Sequence, residues 1–286
     1  MTINVITDKN TVLEKSPLKP FSRRFYFSIS LLILWFLIVI FEPYLPLQAN
    51  TIQLDKILQG PGWENLLGYD DLGRPIADRL LAGARVSFAV AFGVALISLL
   101  VGTFIGTISA YIGGTWDHIT VRIIDIFMAF PGILLAIALS GLMGPGISNV
   151  IIALSVVSWV GYARLSRAQV MAIKQREHVQ AAIALGAKHH RILFMHILPL
   201  IVSPLIIEFT FGIAGLVIAE AGLSFLGLGI QAPDSSWGNM IKDGSQYLLM
   251  APHMVIFPGL ALMLVVLSVN LLGDSIRDYL DVKSPK

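Results

Sequence analysis

The residues best placed to do work lie between Gln180 and Pro199. Gln180-Ala181-Ala182 is followed by Gly186, and twelve residues after that glycine comes Leu198-Pro199. Val179, Ile183, Ala187 and His190 recur at helical spacing, as do Ala182, Gly186 and Leu193, which predicts a short amphipathic helix. Six basic residues (Arg164, Arg167, Lys174, Arg176, Lys188, Arg191) mark this stretch as lying outside a bilayer, although apolar runs flank it on both sides. Gly186 removes a side chain where another surface can approach, and Pro199 suits the first turn of the helix that follows. The chemistry on offer is mechanical: a helix positioned to receive a push, or an interfacial helix lying on lipid headgroups. Covalent chemistry has no candidates. There is no cysteine, the six histidines form no ligand set, and His189 and His190 point to different helix faces, so no metal site is expected. No Gly-x-x-x-x-Gly-Lys-Ser/Thr phosphate loop occurs, so the chain cannot hydrolyse ATP and its energy must come from another chain or from an ion gradient.

The elements that hold this segment are apolar. Of 286 residues, 56% are hydrophobic and 13% charged. Stretches of 31 residues (Arg85 to Asp117), 38 residues (Asp125 to Arg164) and 30 residues (Asp243 to Asp274) contain no Asp, Glu, Lys or Arg. About 20 apolar residues cross the hydrocarbon as a helix, so this is an all-α integral membrane protein. Its net charge of +2 gives no reason to expect a nucleic-acid partner. The basic N-terminus precedes a 17-residue apolar run, Phe25–Phe41, which exceeds a signal-peptide core and lacks a small-x-small cleavage site; it is expected to be an uncleaved first span, assigned to 25–47.

Five further spans are predicted: Val86 to Tyr111, Ile119 to Leu142, Ile147 to Leu165, Leu200 to Ala219 and Pro252 to Leu272, the third and fourth parted by Gly141, Gly144, Pro145 and Gly146. Six spans put both termini on one side. Fifteen Lys/Arg, counting the N-terminal tail, Arg122, the 164–191 block and the C-terminal tail, fall on that side. Lys56, Arg74, Arg79, Arg85 and Lys242 fall on the other. The positive-inside rule makes the first side cytoplasmic, with tails at 1–24 and 276–286, and turns the loops 48–84 and 220–251 outward. No internal repeat is evident, which counts against common secondary-transporter folds.

The 180–199 segment resembles the signature loop of ATP-binding-cassette importer permeases, Glu-Ala-Ala-x-x-x-Gly followed at a fixed distance by Ile-x-Leu-Pro. Ala181, Ala182, Gly186, Leu198 and Pro199 match; Gln180 replaces the glutamate and His196 the isoleucine. Leu67-Gly68-Tyr69-Asp70-Asp71-Leu72-Gly73-Arg74, Leu81-Ala82-Gly83-Ala84-Arg85-Val86-Ser87, the run Glu220 to Gly229 with Pro233 and Ser236-Trp237-Gly238, and Asn270-Leu271-Leu272-Gly273-Asp274 are similar to dipeptide and oligopeptide permeases, in particular the second subunit of the pair. Nickel importers and antimicrobial-peptide or polyamine-type relatives share much of this pattern.

The resemblance implies a six-helix type I importer fold in a bacterial inner membrane, with a permease core at 85–275. It implies a coupling helix at about 174–192 that uses Gln180, Ala181, Ala182, Gly186, Ala187, His190, Leu198 and Pro199. The implied partners are a second, homologous permease, two ATPase subunits that use ATP and Mg, and a periplasmic or lipoprotein binding protein that delivers peptide. This chain would bind no cofactor and catalyse no reaction.

Three further sets of residues each carry two readings. Glu208, near the middle of the fifth span, pays about 2.5–3.5 kcal/mol unless it faces protein or water. It lines a translocation cavity near a peptide amine, or it is a hydrogen-bonded structural acid. Asp70, Asp71 and Arg74 meet a soluble binding protein, or they form a self-capped turn whose exposed ion pair contributes at most about 1 kcal/mol. Phe225, among Gly222, Gly227 and Gly229, marks a re-entrant segment that serves as a gate or as a plug. The stripe Ser98, Gly102, Gly106, Ala110 predicts close helix packing within the chain more than a subunit interface. An ion-coupled carrier acting alone and a membrane enzyme are the competing function classes.

Overall fold

A computed structural model describes residues 23–281, and the all-α expectation holds there: the backbone pairing between extended residues is a single bridge, Tyr69 to Pro75. The helices are α1 (Arg23–Phe41), α2 (Ile76–Ile112), α3 (Gly114–Met128), α4 (Gly132–Met143), α5 (Ile147–Lys174), α6 (Glu177–Ala184), α7 (His189–Arg191), α8 (Leu198–Phe225), α9 (Trp237–Ser245) and α10 (His253–Asp281), with a π-helical turn, Ile192–Ile197, joining α7 to α8. Of the expected tails, residues 1–22 and 282–286 lie outside the described residues. Arg23 and Arg24 already belong to α1, and 276–281 continues α10.

Five helical stretches are long and apolar enough to cross a membrane, and six only if α3 and α4 together count as one. The expected span from Ile119 to Leu142 is thus a bent pair of helices rather than one straight helix. The chain bends by 83° between α3 and α4, because Pro131 caps α4 in an extended conformation (φ −58°, ψ 120°) and cannot continue α3. The first span ends at Phe41 rather than 47, where Glu42-Pro43-Tyr44 forms a 3₁₀ turn. The second begins at Ile76, ten residues ahead of the charge-free run, so the loop closes at 75 rather than 84 and the helical core starts before 85. Asp78, Arg79 and Arg85 lie on a helix that outreaches the bilayer: 37 residues at about 1.5 Å each is roughly 55 Å. The remaining long helices also extend past their apolar cores, to Lys174 for the fourth span and over Leu198–Phe225 for the fifth.

The central contact is between α2 and α5. A side chain on Gly102 would come 2.3 Å from the carbonyl oxygen of Trp159, and one on Gly106 would come 2.1 Å from that of Ala163. Ser98 and Ala110 on the same stripe are buried. In lipid, where burial of apolar surface drives little association, such close backbone approach is what holds helices together. The packing expected for this stripe is thus within the chain. Around this seam lie two apolar clusters. One gathers Trp35, Ile76, Val90, Val94, Leu154, Val217, Leu223, Trp237 and Met254 towards the loop end of the molecule. The other gathers Ala110, Tyr162, Val170, Ile173, Val179, Ile192, Ile197 and Ile201 at the end that carries α6.

Gly106→Leu is expected to exceed the ~1–3 kcal/mol of ordinary overpacking, since the obstacle is backbone. Thermal unfolding in detergent should show a large loss of stability, whereas Gly141→Ala, facing open space, should leave the transition in place. Equal transitions for both variants would contradict this account of the seam.

Candidate functional site

The 174–199 segment is built as two short elements rather than the single helix expected over 174–192. Lys174 is the last residue of α5, and α6 has eight residues. Its amphipathic logic is simple. Val179 is fully buried and packs with Ile173, Ile192, Ile197 and Ile201, while Gln180, Ala181, Ile183 and Leu185 face out, Leu185 at 87% exposure. Such a helix is too short to be stable alone and depends on this packing.

Gly186 ends it with φ +76°. The amide of Gly186 donates to the carbonyl of Ile183 at 2.9 Å, and that of Ala187 donates to the carbonyl of Ala182 at 3.0 Å. These two bonds make a Schellman cap, which needs a left-handed residue at the glycine. A side chain at Gly186 would meet nothing of this chain within 4 Å, which leaves the position open to an approaching surface, and within the chain the glycine meets a conformational requirement. Ala182 and Ala187 are half-buried, with Ala187 against the Ile192 cluster.

Gln180, the departure from the family glutamate, donates from Nε2 to the carbonyl of Lys174 at 2.8 Å. It satisfies one of the free carbonyls at the end of α5, which a carboxylate could not do. α7 follows, with His190 exposed and His189 Nδ1 at 2.8 Å from the Tyr111 hydroxyl of α2. Lys174 Nζ donates to the Tyr111 carbonyl at 2.7 Å, and Arg167 makes a bidentate pair with Asp117 of α3, both contacts at 2.7 Å. Leu198 opens α8 against the Ile201 cluster, and Pro199 sits exposed in its first turn, as the sequence predicts. Through the π turn, α7 and α8 run on as one 37-residue stretch, His189–Phe225. α6 thus packs on α5 and the π turn, while His189 and Lys174 tie the same end to Tyr111 of α2.

At the loop end the structure takes the second of the two readings, the self-capped turn with its own ion pair. Asp70 and Arg74 are not an exposed mixed-charge surface: they are 3% and 6% exposed. Asp70 accepts from Arg74 Nε at 2.7 Å, from the amides of Leu72 and Arg74 at 2.9 and 2.8 Å, and from Arg79 Nη1. Turned inward, these charges are spent on each other and cannot greet a soluble protein; Asp71 keeps partial exposure. Sequence reasoning missed Arg79, which is 2% exposed and ties α2 to Ser235 at 3.3 Å and to Asp243 of α9 at 3.8 Å. Burial pushes the Asp243 carboxyl up, and the Arg79 charge partly counters it.

Glu220 was likewise missed, although it opens a motif that the sequence displays. Fully buried, it accepts from Ser87 of α2 at 3.0 Å and from Ser224 at 2.8 Å, and Ser236, whose oxygen caps α9 by accepting from the Asn239 amide, lies against the same carboxylate. The serine at i+4 from Glu220 was the available signal. Phe225 is half-exposed in the last turn of α8, and the chain turns only after it, at Gly227 with φ +79°. The re-entrant segment expected around Gly222 and Phe225 is ordinary helix.

Glu208 projects from α8 and is exposed on the surface of the chain; a side chain on Gly161 of α5 would lie 3.7 Å from its Oε1. Residues 180–199 gather at the α6 end and Glu208 lies farther along α8 beside Gly161 of α5, whereas Asp70, Asp71 and Arg74 belong to the loop end.

Removing Arg79 leaves Asp70 short of one partner in a buried place, which costs about 3–5 kcal/mol. Arg79→Gln should lower the unfolding temperature strongly, and Asp71→Asn, at a partly exposed position, should barely move it. Comparable small effects would show that the buried cluster is not structural.

Residues 102–284 match the family model described as the inner membrane component of binding-protein-dependent transport systems. The chain is 40% identical over 290 residues to the glutathione transport system permease protein GsiD of Pectobacterium atrosepticum, covering 99% of this chain and 95% of that one. It is 43% identical over 249 residues to the dipeptide transport system permease protein DppC of Alkalihalophilus pseudofirmus, covering 86% and 82%. Among solved structures, an inward-facing form of the MetNI methionine ABC transporter superposes with a TM-score of 0.59 at 19% identity, covering 73% of this chain and 99% of that one, which speaks to the fold. The chain belongs to the binding-protein-dependent ABC importer permeases, a family of multi-pass inner-membrane transport subunits.

Proposed function

We propose that this chain is one of two permease subunits of an ATP-driven importer of short peptides. The observation that carries the reading is α6: a helix held by one buried face, capped by Gly186, with Leu185 and Ile183 left open at the end where α2, α5 and α8 are tied together. An ATPase subunit hydrolysing ATP with Mg would seat on that surface, since this chain has no phosphate loop of its own. Closing of two such subunits would drive α6 against the α7–α8 stretch and rock α8 relative to α5, exposing the path between this chain and a homologous partner to alternate sides.

Peptide as the substrate class is supported by the names of the two relatives, one a dipeptide system and the other a system for glutathione, itself a tripeptide. A separate binding protein would deliver it to the loop end. The fifteen-to-five distribution of Lys and Arg supports placing α6 and both termini in the cytoplasm and the loop end in the periplasm. Glu208 is the residue we assign to the pathway. An acid this far inside a span is costly in lipid, and its exposure away from its own bundle supports a polar space shared with the partner permease. There its carboxylate would meet the ammonium end of a peptide.

The test is the assembled complex in proteoliposomes. Gly186→Leu should leave assembly and ATP hydrolysis in place but cut uptake about tenfold or more, the equivalent of ~1.4 kcal/mol of lost coupling. Unchanged uptake would refute the coupling role. Glu208→Gln should lower uptake most for peptides with a free amino terminus; normal transport of every peptide charge class would remove Glu208 from the pathway.

A further inference from the structure

Between α2 and α8 the chain leaves an open groove of about 540 Å³ whose chemistry the passage of a peptide does not use. Leu100, Phe104 and Ile108 of α2 form one wall, and Phe194 of the π turn forms the other with Val202 and Ile206 of α8. Phe104 and Phe194 stand 67% and 68% exposed. Thr103 and Thr107 also line the α2 wall, but their hydroxyl oxygens are out of reach of solvent, so the groove is apolar throughout. Such a wall suits a hydrocarbon chain. It offers no hydrogen bond to a peptide backbone, whose burial there would be costly.

The groove has the depth of one leaflet. On α2 it runs from Leu99 to Ile108, roughly 14 Å of helix, which is about half of a ~30 Å hydrocarbon layer. Its inner end is shut by rings: Phe92 of α2 meets Phe209 of α8 edge-on with centroids 5.8 Å apart, and Phe88 stacks on Phe92 at 5.4 Å. A partner helix crossing the bilayer needs a track through both leaflets, whereas a lipid tail needs only one. Glu208 lies on the other side of the strip that α8 buries with Ile201 and Leu205, beside Gly161 of α5. The groove and the pathway assigned above therefore occupy different flanks of α8.

Charge selects the kind of lipid. At the open end, His189, His190 and Arg191 of α7 are exposed and lie one turn ahead of Leu193 and Phe194, which line the groove. On the α2 side Tyr111 lies one turn beyond Ile108. Its hydroxyl is 2.8 Å from His189 Nδ1, and its carbonyl accepts from Lys174 Nζ at 2.7 Å. No Asp or Glu occurs from His178 to Ile207, and Asp117, which follows Tyr111 on the other side, is paired with Arg167. The mouth is basic, and basic pockets between spans on the cytoplasmic side hold acidic lipid head groups.

We infer that the α2–α8 groove binds an anionic phospholipid of the cytoplasmic leaflet, with an acyl chain between the Phe104 and Ile206 walls and the phosphate at Arg191 and His190. This rests on the importer reading above, which places the α6 end in the cytoplasm and the partner permease on the Glu208 flank. A tail seated there fills the space between α2 and α8, away from the pathway.

The test uses the assembled transporter, stripped of lipid in mild detergent and then given phosphatidylglycerol or phosphatidylcholine of the same chain length. Native mass spectrometry counts the lipids that stay bound. The wild type should retain phosphatidylglycerol in preference. Arg191→Gln should lower that retention about fivefold, the worth of one basic residue beside an anionic head group. Ile206→Trp, which fills the groove, should remove it, and Leu142→Trp on an exposed part of α4 should leave it unchanged. Equal retention of both lipids by the wild type overturns the proposal, as does undiminished retention by both groove variants. Loss of the second permease from the Ile206→Trp complex makes the groove a subunit interface and overturns it as well. Peptide uptake by the wild-type complex in proteoliposomes is measured separately: its absence overturns the importer reading, while the lipid count still decides the site.

Discussion

The backbone contact between α2 and α5 at Gly102 and Gly106 is the constraint on which the rest depends. It holds two long helices so close that no side chain fits between them, and each helix carries one end of the machine. α5 leads directly into α6 at one end, and α2 projects well past the bilayer to bear the loop, Arg79 and Ser87 at the other. Because dispersion and close fit replace the hydrophobic effect as the source of helix association in lipid, a few ångströms of separation would release both ends at once. The remaining helices are arranged around this pair. α8 packs on both, α10 packs on α8 and α1, and the α3–α4 bend runs along α5.

Charge is handled differently at the two ends. At the loop end, Asp70, Arg74, Arg79 and Glu220 are buried and each has hydrogen-bond partners. Such clusters penalise any displacement that leaves a charge without its partner, so they make the cap formed by α9 and the preceding turn a rigid lid on α2 and α8. At the coupling end the ionic contacts lie at the rim: Arg167 with Asp117 is part-exposed, and Lys174 and His189 meet Tyr111 near the surface. Part-exposed pairs contribute less and exchange more readily with water.

Much of this was legible from residue types and order. Apolar runs longer than a bilayer gave the membrane class, the Ser98–Ala110 stripe gave the central packing, and the order of motifs around Ala181-Ala182, Gly186 and Leu198-Pro199 gave the family. What escaped has physical reasons. Hydropathy trims helices at their charges, so the ten residues of α2 from Ile76 to Arg85 read as loop. Pro131 lies inside a charge-free run, where apolar content masks a breaker, and the 83° bend was lost with it. The self-capped turn of Asp70 and Arg74 was one of two readings, but its burial was not foreseen, because Arg79, nine residues from Asp70, and Asp243 of α9, which pairs with Arg79, are invisible to local spacing. Gly186 was read for the room it leaves, and its left-handed φ, a second requirement, was not seen. Gln180 stood out as a mismatch, and the bond to the Lys174 carbonyl supplies the reason an amide works there.

The central claim is that α6 is the surface through which an external motor moves this chain. The most direct measurement places a photo-crosslinking side chain at Leu185, which is 87% exposed and lies next to the Gly186 cap, and exposes the intact transporter to light with and without ATP. The account predicts an adduct with the ATPase subunit whose yield changes with the nucleotide state. An adduct found only with lipid, or none in a fully assembled and transporting complex, would contradict it.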